Sequence, residues 1–158
     1  MINRAFDAPI NVMFEMWSDP KHLAKWVPPT GFSMEYLKAD IRPGGRSFYR
    51  MFGNGIEMYG QANYIELVKP NRIVYSQNFC DKDGNMSRHP MAPTWPATML
   101  TKITLAEEDT NKTRVTIAWE CLTPFSAEEI ATFIAGRPGM TGGWTGSLDK
   151  LEDYLSKL

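Results

Sequence analysis

From Phe32 to about Leu122 the apolar residues of this chain recur at every second position, in runs separated by turn-forming residues. Alternation sends successive side chains to opposite faces of a strand, so a stretch of this length commits the middle of the chain to a sheet. The expected strands are Phe32 to Ile41, Arg46 to Phe52, Ile56 to Val68, Arg72 to Cys80, Thr98 to Glu107 and Thr113 to Leu122. The breaks between them have turn chemistry: Arg42-Pro43-Gly44-Gly45, Asn54-Gly55, Lys69-Pro70-Asn71 and Asp109 to Lys112. Asn54-Gly55 has the residues that a type I′ hairpin needs at positive φ. Residues 81–97, with Asp83-Gly84 and Pro90, Pro93 and Pro96, read as a long loop, and loops of that length are usually functional or mobile.

On both sides of this stretch the period becomes helical. Residues 1–8 form a first strand, and Pro9 opens a helix whose Val12, Met13, Met16 and Trp17 make one apolar stripe. Ser18-Asp19-Pro20 stops that helix and starts another, because the residue before a proline avoids the α region while Asp19 can cap and Pro20 can fill the first turn. Leu23 and Trp26 are its apolar residues, and Val27-Pro28-Pro29-Thr30-Gly31 ends it. At the far end Thr123-Pro124-Phe125-Ser126 marks the close of the sheet, with Ser126 and Glu129 spaced for a capping box. A short helix is expected over residues 127–135, a break at Gly136-Arg137-Pro138-Gly139, and a last helix over about 139–157. That helix carries Met140, Trp144, Leu148, Leu151 and Leu155 along one side. The fold class is therefore α+β: an antiparallel sheet, two short helices after the first strand, and a long C-terminal helix.

With 158 residues, no internal repeat and no linker, residues 1–158 read as one domain around one core. No apolar run approaches the roughly 18 residues of a membrane span. The first seven residues carry charge where an export signal needs an apolar stretch, which makes the cytoplasm the expected location. Lys and Arg total 17 against 18 Asp and Glu, with no basic stripe, so a nucleic-acid partner is not expected. Cys80 and Cys121 lack metal-ligand spacing and read as reduced, structural thiols. Asp81-Lys82-Asp83-Gly84-Asn85 lacks the distal Glu of a calcium loop, and no helix opens after Gly53-Asn54-Gly55 to make a phosphate cradle. Neither metal nor cofactor is implied. Asn85-Met86-Ser87 and Asn111-Lys112-Thr113 match glycosylation acceptors only by chance if the chain is not exported.

A set of short motifs runs through the chain in order. It comprises Phe6-Asp7-Ala8-Pro9, Val12, Trp17, Asp19-Pro20, Leu23 through Trp26 and Asp40-Ile41-Arg42-Pro43-Gly44-Gly45. It continues with Glu66, Pro70, Arg72-Ile73-Val74-Tyr75, Gly143-Trp144 and Ser147-Leu148-Asp149-Lys150-Leu151. Together these residues resemble the family related to the C-terminal domain of the Hsp90 ATPase activator, within the START-like, Bet v 1-like superfamily. The resemblance implies a helix-grip fold, in which a bent antiparallel sheet grips the long C-terminal helix and leaves a cavity between them. It also implies binding of apolar small molecules, since most members of the superfamily do this; some relatives are cyclases, hydroxylase components or proteins that protect against reactive metabolites. The chain departs from the family pattern at Gln77, where an aromatic is common, and in the length of the loop holding His89 and Trp95.

If alternate strand residues face the helix, the cavity lining includes Tyr36, Tyr49, Met51, Tyr75, Gln77, Phe79, Met99 and Trp119, with Met140 and Trp144 from the helix. Tyr59 joins them, its face depending on whether the long strand carries a bulge. The competing expectation is that these Trp, Tyr and Met side chains fill the space completely. His89 reads as a solvated loop histidine rather than a general base, and His22 as a surface residue. Glu120 points away from the face that carries Trp119. The leading function is binding of an apolar or aromatic small molecule without a cofactor. A cofactor-independent enzyme of the cyclase or hydrolase kind using the same cavity is the alternative, and a chaperone-associated protein, suggested by the family's name, is a third.

Overall fold

In the computed structural model, which describes residues 1–89, 92–122 and 126–158, the alternating segments form seven strands. They are β1 (Ile2–Phe6), β2 (Ser33–Ala39), β3 (Arg46–Gly53), β4 (Ile56–Val68), β5 (Arg72–Cys80), β6 (Thr98–Asp109) and β7 (Lys112–Cys121). The helices are α1 (Ile10–Ser18), α2 (Pro20–Trp26) and α3 (Ala127–Ser156). The strands make one sheet in the order β1-β7-β6-β5-β4-β3-β2, every neighbouring pair antiparallel. The expected close of the sheet at Thr123-Pro124-Phe125, and Pro90 of the long loop, lie outside the described residues. Among the described residues no helix is long and apolar enough to cross a membrane.

Local chemistry accounts for the hairpins and caps. Asn54 and Gly55 both take positive φ, at 51° and 75°, as a type I′ connection demands. Asp19 caps α2 by accepting from the Lys21 N–H, and Ser126 and Glu129 form a reciprocal capping box at the start of α3. Three register shifts interrupt the sheet among the described residues: one leaves Leu37 of β2 unpaired and exposed, one does the same to Ile65 of β4, and a third follows Glu107 near the end of β6. A bulge adds a residue to one strand and sharpens its twist, so strands β2 to β5 curl around the face on which α3 lies. This is the helix-grip arrangement.

The expected break at Gly136-Arg137-Pro138-Gly139 does not occur, and α3 runs unbroken for 30 residues with Pro138 inside it. Pro138 cannot bond the Ile134 carbonyl one turn back, but Ile134 is 52% exposed, so water can take that place. Gly136 is a notch rather than a breaker: a Cβ there would stand 2.6 Å from the Trp95 ring, which also packs edge-on against Phe133 at 5.9 Å. Tertiary packing at both ends of the helix outweighs a local propensity penalty of about 3 kcal/mol for the proline and about 1 for each glycine.

The solid part of the core lies under the C-terminal half of α3. Leu148 and Leu151 are buried there against Met13, Met16 and Trp17 of α1, Leu23 and Trp26 of α2, and Ile73, Ile103, Val115 and Ile117 of the sheet. Polar contacts hold the helix in place from two sides. Ser147 Oγ and Lys150 Nζ donate to the carbonyls of Val27 and Pro28, while Arg4 of β1 pairs with Asp149 at 2.7 Å and Glu152 at 3.1 Å. His22 is not a surface residue as expected; it is half-buried, with Nδ1 2.8 Å from the Tyr154 hydroxyl.

A Cβ built on Gly142 meets nothing within 4 Å, so that glycine serves no close approach. Gly142→Ala should raise stability by about 1 kcal/mol in urea denaturation. Gly136→Ala, which drives a methyl into Trp95, should lower it instead.

Candidate functional site

Under the middle of α3, from Met140 to Ser147, the packing is incomplete, and three chambers that share lining residues open between helix and sheet. The outer one, about 300 Å³, lies among Val27, Pro29, Met51, Met58, Phe79, His89, Met140, Gly143 and Ser147. A side chamber of about 110 Å³ reaches Trp95, Met99, Thr101 and Trp119, and the innermost, about 60 Å³, reaches Trp17, Met34, Tyr36, Tyr64 and Tyr75. Tyr49, Gln77 and Trp144 border all three, so the chambers meet around these side chains.

Each of these central residues is positioned by a specific contact. Trp144 stacks on Trp17 with centroids 5.9 Å apart and 18° between planes, and meets Trp119 at 5.4 Å. Trp17 is braced in turn by Trp26, edge-on at 4.6 Å. Tyr49 lies flat across β4 at Gly60, where a Cβ would overlap the phenol ring and its hydroxyl. A glycine inside a strand often marks such a close approach, and this one lets the Tyr49 ring rest on the chamber floor. Gln77, on the strand beyond, donates from Nε2 to the Tyr49 hydroxyl.

Four phenols gather here, with Tyr36 against Tyr49 and Tyr64 against Tyr75, each pair at 6.0 Å. Burial raises the pKa of all four above the ordinary tyrosine range, and repulsion from neighbouring phenolates adds to the rise for Tyr36, Tyr49 and Tyr75. Hydrogen bonding from Gln77 to Tyr49, and from Ser47 to Tyr64 at 2.8 Å, offsets only part of it. The chambers have no carboxylate, lysine or arginine among their described lining residues; His89 is their one group with an ordinary pKa near neutrality, and its burial lowers that value. Among the described residues no three His, Cys, Asp or Glu gather as a metal site.

Of the residues expected to face the helix, Tyr36, Tyr49, Met51, Tyr75, Gln77, Phe79, Met99, Trp119, Met140 and Trp144 all border at least one chamber. Tyr59 differs. It touches the edge of the outer chamber, but its ring stacks on Phe48 and its hydroxyl donates to Glu57, both on the opposite face. The signal that corrects it lies in the hairpin. A two-residue turn at Asn54-Gly55 pairs Gly53 with Ile56, which places Met51 opposite Met58 and Arg50 opposite Tyr59, so Met58 is the inward residue.

His89 also departs from expectation: it is not a solvated loop residue but lines the outer chamber, edge-on to Phe79 at 5.0 Å. Its loop is tied to the start of α3. Arg88 pairs with Glu129 at 3.4 Å, Glu129 also accepts from the Ala97 N–H, and Thr132 bonds Thr94. Glu120 pairs with Lys102 at 2.8 Å. Cys80 and Cys121 are free thiols.

The family described as activator of Hsp90 ATPase homolog 1-like protein matches residues 7–156 of the chain. A Chromobacterium violaceum protein of known structure is 28% identical, with a TM-score of 0.71 over 97% of this chain and 93% of its own. An Arthrobacter aurescens protein is 22% identical, with a TM-score of 0.81 over 99% of this chain and 85% of its own. A Silicibacter pomeroyi protein of the same family is 18% identical, with a TM-score of 0.72 over 98% and 95%. The likeness to the last two is one of fold. No functionally curated protein matches the chain.

The tyrosine cluster yields a test by pH. An unfolded tyrosine loses its proton near pH 10, whereas a folded phenol of raised pKa keeps it, so above that pH the folded state binds more protons. The stability that the cluster contributes is therefore complete below about pH 10 and declines as pH climbs toward the folded values. Phenolate absorbance from Tyr36, Tyr49, Tyr64 and Tyr75 should appear together with loss of the folded circular-dichroism signal; their ionisation in the intact fold near the ordinary value would contradict the burial described.

Proposed function

Given that this chain belongs to the activator of Hsp90 ATPase homolog 1-like family, we propose that it is a single-domain binding protein for an apolar or aromatic small molecule, held without a cofactor between the sheet and α3. The observation that carries this reading is the hollow under the middle of α3, with no carboxylate, lysine or arginine among its described lining residues, beside a C-terminal stretch that packs solidly. Its outer chamber, about 300 Å³, reaches the lower end of the range typical of small-molecule sites, and apolar walls with a few convergent polar groups are what such sites have. Trp144, Phe79, Met51 and Met140 supply the apolar contact surface, soft enough in the methionines to adapt to shape. Tyr49 and Gln77 supply orientation at the centre.

His89 on the outer wall favours a second reading, a cofactor-independent enzyme of the cyclase or hydrolase type. Its lowered pKa keeps the imidazole neutral at physiological pH, the form that can accept a proton from a bound substrate.

Native mass spectrometry of the protein purified from its own host should retain a small molecule, released on denaturation. Gly60→Ala should then lift Tyr49 off its strand into the chambers and weaken retention about tenfold, the equivalent of ~1.4 kcal/mol. Repeated preparations without a bound molecule, together with a Gly60→Ala variant indistinguishable from the parent in titrations with 2-ethylnaphthalene, would remove the basis of the binding reading. Loss of a chemical step in His89→Gln, with the molecule still retained, would select the enzymatic one.

A further inference from the structure

One polar pair is common to all three chambers, and the inference drawn from it rests on the cavity reading above. Gln77 stands on β5, the middle strand of the seven, with buried Ala62 and Met99 paired on either side. Its side chain borders each chamber together with Trp144 of α3, so it projects from the sheet on the helix side. Gln77 is nevertheless only half-buried, and its remaining accessible surface opens into the hollow. Tyr49 borders the same three chambers, is almost completely buried, and meets Gln77 end to end, phenol oxygen against amide nitrogen.

That one hydrogen bond satisfies neither group. Nε2 of Gln77 donates to the Tyr49 oxygen, which leaves the Tyr49 proton to give and the lone pairs of Gln77 Oε1 to receive. Among the described residues neither side chain has another hydrogen bond. A free donor beside a free acceptor selects a group that is both. A hydroxyl oxygen takes the Tyr49 proton and gives its own to Oε1, and the Gln77 to Tyr49 bond then closes a ring of three hydrogen bonds running in one direction, each polarising the next. The ring closes equally with the amide turned over, in the opposite direction. An ether oxygen meets only the donor and leaves Oε1 stripped of water without a partner; a hydrocarbon strips both. A charged group finds no carboxylate, lysine or arginine among the described lining residues to balance it.

From this half-satisfied pair, we propose that the junction of the chambers is a subsite for an uncharged hydroxyl group, of the phenol or alcohol class, borne by a ligand whose apolar body lies in the outer chamber. Gln77 is then a specificity-determining residue, because it alone supplies the acceptor that distinguishes a hydroxyl from an ether.

Three probes of similar shape test this on the full chain by calorimetry near neutral pH: 2-naphthol, 2-methoxynaphthalene and 2-ethylnaphthalene. Comparing affinity ratios between the parent and Gln77→Leu cancels the differences in hydrophobicity among the probes. The ratio of naphthol to ethylnaphthalene affinity should fall about fivefold to tenfold in the variant, the worth of one net hydrogen bond. The ratio of methoxynaphthalene to ethylnaphthalene should hold, since Tyr49 still donates. Ethylnaphthalene binding by the variant reports that its fold is intact. In parent protein carrying ¹⁵N-glutamine, the Gln77 carboxamide resonances should move further with naphthol than with ethylnaphthalene, whose ring current is alike, a readout that needs no variant. An unchanged naphthol ratio, an equal fall for methoxynaphthalene, or Gln77 resonances that respond alike to both probes overturns the hydroxyl subsite and leaves the cavity reading standing. Failure of all three probes to bind the parent overturns the cavity reading, and the subsite with it.

Discussion

Trp144 is clasped between Trp17 of α1 and Trp119 of β7, and the rest of the architecture is arranged around that clasp. An indole pinned from a helix on one side and from the sheet on the other fixes both the rotation and the height of α3 at one point along its length. On the C-terminal side of this point Leu148 and Leu151 close down on α1, α2 and the sheet with almost no exposure. Just N-terminal to it Met140 and Gly143 line the outer chamber and leave space beneath. One helix thus serves as a core element over its C-terminal stretch and as a roof over its middle.

The roof segment is weak by its own chemistry. It contains Gly139, Gly142, Gly143 and Gly146 around Pro138, and a Cβ at any of these four glycines would meet nothing within 4 Å. Such a sequence does not hold helical structure alone. It persists because Gly136 receives Trp95, Phe133 packs beneath, and Glu129 holds the loop through Arg88 and Ala97. Arg88, Trp95 and Ala97 of the long loop therefore anchor the helix, while His89 and Trp95 also wall the chambers. Below it, the polar groups at the meeting point of the chambers are the Tyr49 phenol and the Gln77 amide, both uncharged, so no desolvated charge has to be held there.

Much of this was legible in the order of residues. Period-two alternation marked the strands of the middle of the chain, Asn54-Gly55 marked its hairpin, and Asp19-Pro20 and Ser126 with Glu129 marked helix starts, because each of these signals acts within a few residues of itself. The same alternation placed Tyr49 with Met51, and Tyr75 with Gln77 and Phe79, on one face. It misplaced Tyr59, although pairing outward from the Asn54-Gly55 turn gives Met58 as the inward neighbour. Gly136-Arg137-Pro138-Gly139 read as a break because propensity is local, whereas the ring of Trp95 that makes use of Gly136 arrives from a distant loop.

By itself, then, the sequence determined which segments are strands and helices, where the turns fall, and that the interior would be aromatic and soft, since these follow from periodicity and from the steric limits of glycine and proline. The tertiary structure alone decided that α3 is continuous, that Gly60 makes room for Tyr49, that His89 faces the chamber and that Trp17 Nε1 ends without a partner. The physical reason is common to all four. Each depends on which atoms from remote parts of the chain come to occupy, or leave open, a few cubic ångströms, and no pattern within one segment records what its distant neighbours will fill.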